Sequence, residues 1–146
     1  MSKETHLCHS EKETIEFAKR LAEKLEGGEV FALSGDLGCG KTTFVKGLVL
    51  GLQSRAIVTS PTFNLVHRYL DGRLSVIHYD LYRLKKFAET ESLDLEVELE
   101  EKKVVVIEWP QFVKSILPPL RTHWIEFQEV GPAERLIQIY PLNIKP

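Results

Sequence analysis

The chain has 146 residues, 43% hydrophobic and 9% aromatic, and a formal net charge of −2. That length and composition suit one soluble domain, 1–146, with a real core, and they argue against a membrane protein, since no apolar run approaches the roughly 20 residues of a spanning helix. A charge so near zero gives no broad basic footprint for direct RNA binding. Met1–His6 lacks the apolar stretch of a secretion signal. Cys8 and Cys39 make no disulfide framework, so the expected compartment is a reducing cytoplasm.

In chain order, Ser10 followed by Glu13 reads as a capping box. Phe17, Ala18, Leu21 and Leu25 then line one face of a helix that Gly27-Gly28 ends. This helix packs on a sheet; covering one side of a base is a second role open to it. Val30–Ser34 is short, apolar and strand-like.

Gly35-Asp36-Leu37-Gly38-Cys39-Gly40-Lys41-Thr42 follows directly, with the spacing of a phosphate-binding loop, or P-loop. Thr43–Leu50 then reads as a helix with Phe44, Val45, Leu48 and Val49 on one face. Strand, glycine loop and helix in that order point to a nucleotide cradle. Glycines let backbone N–H groups turn inward, and the helix N-terminus adds partial positive charge. Lys41 would neutralise the β- and γ-phosphates, and Thr42 would hold magnesium.

Val58-Thr59-Ser60-Pro61-Thr62-Phe63 reads either as a loop sensing the γ-phosphate or as a plain turn. Phe63–Leu70 and Leu74–Tyr79 flank Asp71-Gly72-Arg73, a hairpin signal. Asp80 ends the second of these strands, where acids of nucleotide-hydrolysing folds sit; a turn-initiating aspartate is the alternative. His78 reads as a core or hydrogen-bonded histidine. Glu89 to Glu101 has a strand period but a helix composition, and both assignments stand. Lys103–Ile107 is a buried strand ending at Glu108, a second magnesium-ligand candidate beside Thr42. Trp109 reads as a group shielding the site or as a core aromatic. A short helix precedes Pro118-Pro119, and His123–Gln128 and Arg135–Tyr140 form a last antiparallel pair joined through Gly131-Pro132. Arg135 reaches phosphate or base, or lies on the surface. With no Asn-Lys-x-Asp element for guanine, adenine is the expected base.

The P-loop run, Ser60-Pro61-Thr62-Phe63-Asn64-Leu65-Val66, His78-Tyr79-Asp80-Leu81-Tyr82-Arg83-Leu84 and Glu108-Trp109-Pro110 together resemble the TsaE (YjeE) family of bacterial ATPases, across essentially the whole chain. Two departures are Cys39 for the usual alanine and Asp94 where glycine is commoner, which bears on the local turn. The resemblance implies an α/β fold: a P-loop NTPase-like mixed sheet with parallel core strands, antiparallel hairpins and flanking helices. It implies ATP and Mg²⁺ as ligands, with Asp36, Leu37, Gly38, Cys39, Gly40, Lys41, Thr42, Thr43, Trp109 and Arg135 around the nucleotide. Thr42 and Glu108 would hold the metal, and Lys41 and Asp80 would carry catalysis. It further implies work in tRNA threonylcarbamoyladenosine synthesis with TsaD- and TsaB-type partners, tRNA being met only through that complex. No obvious arginine finger is present, so hydrolysis is expected to be slow alone and faster with partners. An independent small-molecule kinase and a non-hydrolysing ATP-dependent binding module are the alternatives.

Overall fold

Val30–Ser34 (β2) runs into Lys41–Gly51 (α2) through the glycine loop, and the rest of the fold is built around that unit. The structure, a computed structural model, describes residues 3–61, 64–84 and 93–146. The remaining elements in chain order are β1 (Glu4–Cys8), α1 (Glu11–Ala22), β3 (Val66–Tyr69), β4 (Val76–Asp80), α3 (Leu95–Glu100), β5 (Val104–Glu108), β6 (Thr122–Glu129) and β7 (Arg135–Ile139). The strands form one sheet in the order β1-β7-β6-β2-β5-β4-β3. Its centre, β6-β2-β5-β4, is parallel. Both flanks, β3 against β4 and β1-β7-β6, are antiparallel. The mixed sheet, its parallel core and both expected antiparallel pairs are therefore present.

The central strands read as continuous apolar runs because both faces are covered. On one face α1 and α2 enclose Phe31, Leu33, Phe44, Leu48 and Val106. On the other, Ile77, Tyr79, Val105, Ile107 and Trp124 pack with Leu95 and Leu99 of α3. Small residues set the α1–α2 approach. A Cβ added at Gly47 would lie 2.6 Å from Ala18 Cβ, and one at Gly51 would lie 2.6 Å from Ala22 Cβ. α1 thus presents two alanine methyls and α2 two glycines, each pair four residues apart on one face.

Several local expectations are refined. Glu4–Cys8, read only as an N-terminus without a signal, is an edge strand pairing β7 from Glu4↔Ile139 to Cys8↔Arg135. Ser10 caps α1 by accepting from Glu13 N–H at 3.1 Å, while the Glu13 carboxylate takes the N–H of His9 rather than that of Ser10. The Asp71-Gly72 connection is longer than a two-residue hairpin turn, because it is docked on the helices. Asp71 accepts from Arg55 N–H at 2.9 Å and from the Ser54 hydroxyl, and Arg73 donates to the Leu25 and Ala22 carbonyls. Of the ambiguous acidic stretch, Leu95–Glu100 is helical, and 85–92 lie outside the described residues. Asp94 opens that helix at φ 53°, so aspartate occupies the left-handed geometry that glycine favours. The expected helix before Pro118 is two short 3₁₀ turns, Pro110–Phe112 and Lys114–Ile116.

Candidate active site

Gly35 leaves β2 at φ 146°, and a Cβ there would meet the Phe127 carbonyl and Cys39 Sγ at 2.6 Å. Gly40 enters α2 at φ 103°, a backbone state that L side chains rarely adopt. These two positions explain why the loop must be glycine-rich at its ends. Lys41, 4% exposed, begins α2; its ammonium donates to the Gly35 carbonyl and lies 3.7 Å from the Trp109 ring centroid. Burial pushes the Lys41 ammonium below its usual range, and the charges of Glu108 and Asp80 act in the opposite direction.

Thr42 faces Glu108 across the gap between α2 and β5. Its hydroxyl lies 3.2 Å and 3.4 Å from the two carboxylate oxygens. Strand register accounts for the next acid: Asp80 on β4 stands opposite Glu108 on β5. Asp80 Oδ2 accepts from the Ser60 hydroxyl at 3.0 Å, and Oδ1 accepts from Tyr82 N–H at 3.0 Å. Glu108, 3% exposed, is also bonded to His78 Nε2 at 2.6 Å. Trp109 follows at φ 61°, a rare conformation for a bulky residue, with its N–H on the Leu33 carbonyl. Its ring packs on Tyr82, centroids 4.8 Å apart.

A cleft of about 460 Å³ opens over these groups. Leu37, Gly38, Gly40, Lys41, Thr42, Thr43, Asp80, Glu108, Trp109 and Arg135 line it, ten of the twelve site residues expected from the sequence; Asp36 and Cys39 do not. Cys39 is 2% exposed with its thiol packed toward Gly35, and its N–H and the Asp36 carbonyl bond to each other at 3.2 Å. Cys39 is therefore buried beneath the loop, whereas Asp36 is exposed and outside the cleft lining. Arg135 donates to the Gly38, Gly131 and Glu134 carbonyls, which ties the β6–β7 turn to the P-loop. Ser60 lines the cleft as well; Thr62 of the same loop lies outside the described residues.

Four lining residues were not singled out from the sequence: Glu11, Thr14, Pro132 and Ala133. They form the end of the cleft away from β4. The pairing of β1 with β7 brings them together, and His9 Nδ1 reaches Glu134 at 3.0 Å across the junction. The signal available was α1 itself, whose second possible role was to cover a base.

The donor set fits magnesium. Thr42 and Glu108 offer two hard oxygens, a normal protein share when phosphates and water supply the remainder. Among the described residues no group of three or more His, Cys, Asp or Glu makes an all-protein cage.

A parallel sheet whose central strand passes through a glycine loop into a helix, with acids at two neighbouring strand ends, defines the P-loop class of α/β domain. The sequence model of the family described as "Threonylcarbamoyl adenosine biosynthesis protein TsaE" matches residues 8–137. The chain belongs to the TsaE family. It is 42% identical over 123 residues to the tRNA threonylcarbamoyladenosine biosynthesis protein TsaE of Borreliella burgdorferi, covering 84% of this chain and 89% of that one. The Bacillus subtilis protein of the same name is 40% identical over 125 residues, covering 86% and 77% of the two chains. The crystal structure of Bacillus subtilis YdiB superposes with a TM-score of 0.79 at 31% identity, covering 97% of this chain and 88% of that one. Among the described residues no helix is long and apolar enough to cross a membrane.

Proposed function

We propose that this protein is a cytoplasmic, Mg²⁺-dependent ATPase that serves tRNA threonylcarbamoyladenosine synthesis. It acts with TsaD- and TsaB-type partners and meets tRNA only through them. The observation that carries the reading is the convergence of Lys41, Thr42, Glu108 and Asp80 on one cleft at the N-terminus of α2. The names of its relatives support the pathway.

The cleft receives ATP with its phosphates over the loop amides and its base toward Glu11, Thr14, Pro132 and Ala133. Lys41 neutralises the β- and γ-phosphates. Thr42 and Glu108 would hold Mg²⁺, which would supply further neutralisation of phosphate charge. Asp80, oriented by Ser60 and Tyr82, accepts a hydrogen bond from the attacking water. Water adds to the γ-phosphorus, the bond to the β–γ bridging oxygen breaks, and ADP and phosphate leave. Such a reaction asks mainly for positioning and charge neutralisation. Arg135 already bonds three carbonyls. A completing cation is therefore assigned to a partner, which makes turnover slow in isolation.

Turnover measured with and without the partner proteins tests this. Partners are expected to accelerate hydrolysis. Asp80→Asn is expected to bind ATP within about threefold of wild type while losing about 10²–10⁴-fold in turnover, the range for a positioned acid–base group. Fast hydrolysis by the isolated chain that partners leave unchanged would contradict the partner-completed site. Full biological function in Asp80→Asn would make ATP an ordering ligand rather than a fuel.

A further inference from the structure

The buried polar chain behind Glu108 has no part in the mechanism above. His78 is 0% exposed and lies on β4, two residues before Asp80. Its Nε2 is 2.6 Å from Glu108 Oε2. A carboxylate can only accept, so Nε2 carries the proton of that bond. The Tyr69 hydroxyl on β3 lies 3.4 Å from the other ring nitrogen, Nδ1. The same hydroxyl is within reach of the Thr59 backbone, and burial pushes its pKa up to about 12, so it stays a hydroxyl. Three adjacent strands and Thr59 thus share a set of contacts, branched at the Tyr69 hydroxyl, which is also 3.5 Å from His67 Nδ1, and ending at the carboxylate facing Thr42.

We infer that His78 is a positioning residue for the metal site, held in turn by Tyr69, and that it fixes the Glu108 carboxylate in the orientation that binds Mg²⁺. Two features carry this. Glu108 Oε2 is the oxygen His78 grips, which leaves Oε1 to turn toward a cation. And a glutamate has three rotatable bonds, so without His78 the one side chain bonded to it among the described residues is Thr42, the group with which it must share the metal. Outer partners that orient a ligating carboxylate typically contribute about 10–100-fold in metal affinity. Burial strengthens such a bond and makes its loss harder to replace by water.

The inference rests on the proposed MgATP reading, and the experiment separates the two. ATP binding is followed by calorimetry in EDTA and across a Mg²⁺ series, for wild type, His78→Ala, His78→Gln and Tyr69→Phe. His78→Ala is expected to need about 10–100-fold more Mg²⁺ for half-maximal enhancement of binding, with EDTA affinity within about twofold of wild type. His78→Gln, whose amide N–H can reach the same oxygen, is expected to recover most of the loss. Tyr69→Phe removes one hydroxyl without cutting volume, keeps the test open should the His78 variants fold poorly, and is expected to shift the Mg²⁺ midpoint several-fold in the same direction. Unshifted midpoints in His78→Ala and Tyr69→Phe, with wild type responding to Mg²⁺, would overturn the positioning role alone. Equal losses in EDTA and in Mg²⁺ would overturn it too, as a merely structural effect. A wild type that binds no nucleotide under either condition would remove the underlying reading.

Discussion

Lys41→Ala is expected to lose at least about 10²-fold in ATP turnover, the scale on which removal of one preorganised charge-stabilising group acts. The ammonium starts α2, 4% exposed, at the point where the helix N-terminus and the glycine loop both direct positive character into the cleft. Its partners in the structure, the Gly35 carbonyl and the Trp109 ring, are weaker than the two phosphates proposed for it would be. Lys41→Arg is not a rescue, because the planar guanidinium cannot occupy the compact position of an ammonium against Trp109. The unfolding midpoint of Lys41→Ala should stay within a few degrees of wild type, since neither partner is left as a buried unpaired charge. Steady-state phosphate release and thermal unfolding together check both statements. Turnover unchanged in Lys41→Ala would remove Lys41 from the site.

The second large effect is on stability and reaches the cleft indirectly. Gly47→Leu places a Cβ 2.4 Å from the Ile15 carbonyl, a backbone atom that no rotamer change can move. Overpacking of this kind costs about 1–3 kcal/mol and occasionally more; this contact belongs at the upper end. A loss of about 3 kcal/mol lowers the midpoint of a chain this long by roughly 6–12 °C. Because α1 carries Glu11 and Thr14 into the cleft wall, nucleotide affinity should fall as well, although Gly47 touches no ligand. Lys46→Ala, one residue away and outward-facing, is the control. Its ion pair with Glu11 spans 3.9 Å between exposed groups, and such pairs contribute about 0–1 kcal/mol. A Gly47→Leu protein as stable as Lys46→Ala would mean that the two helices do not pack as closely as described.

What was legible in the sequence follows from how local each signal is. Gly35 to Thr42 carries its signal in its own spacing, and Val30–Ser34 and Val104–Glu108 show themselves as apolar runs because both their faces are buried. The antiparallel flanks were readable from Asp71-Gly72 and Gly131-Pro132, although the first turn owes its length to docking on α1 and α2. Glu4–Cys8 was not readable: it is an edge strand with one buried residue, and its pairing with β7 lies more than a hundred residues away. Leu95–Glu100 alternates every second residue yet folds as a helix, since a single turn with Leu95 and Leu99 inward satisfies the core as well as a strand would. Around the cleft, Lys41, Thr42, Asp80 and Glu108 could be named from motif and strand-end position. Glu11, Thr14, Pro132 and Ala133 could not, because only the β1–β7 closure makes them neighbours. His78 was readable as a hydrogen-bonded histidine, but its partner Glu108 was not. Gly47 and Gly51 were not singled out, because their reason is the Ala18–Ala22 face that packs against them.

The central claim is that a purine triphosphate and its metal are gripped between the N-terminus of α2 and the end of β5. Calorimetric titration of ATP into the wild-type protein in magnesium buffer tests it most directly. The account predicts saturable binding at one site per chain, weakened when EDTA replaces magnesium and abolished or nearly so in Lys41→Ala. Absence of heat with every purine triphosphate, in magnesium and at protein concentrations where the chain is folded, would contradict it.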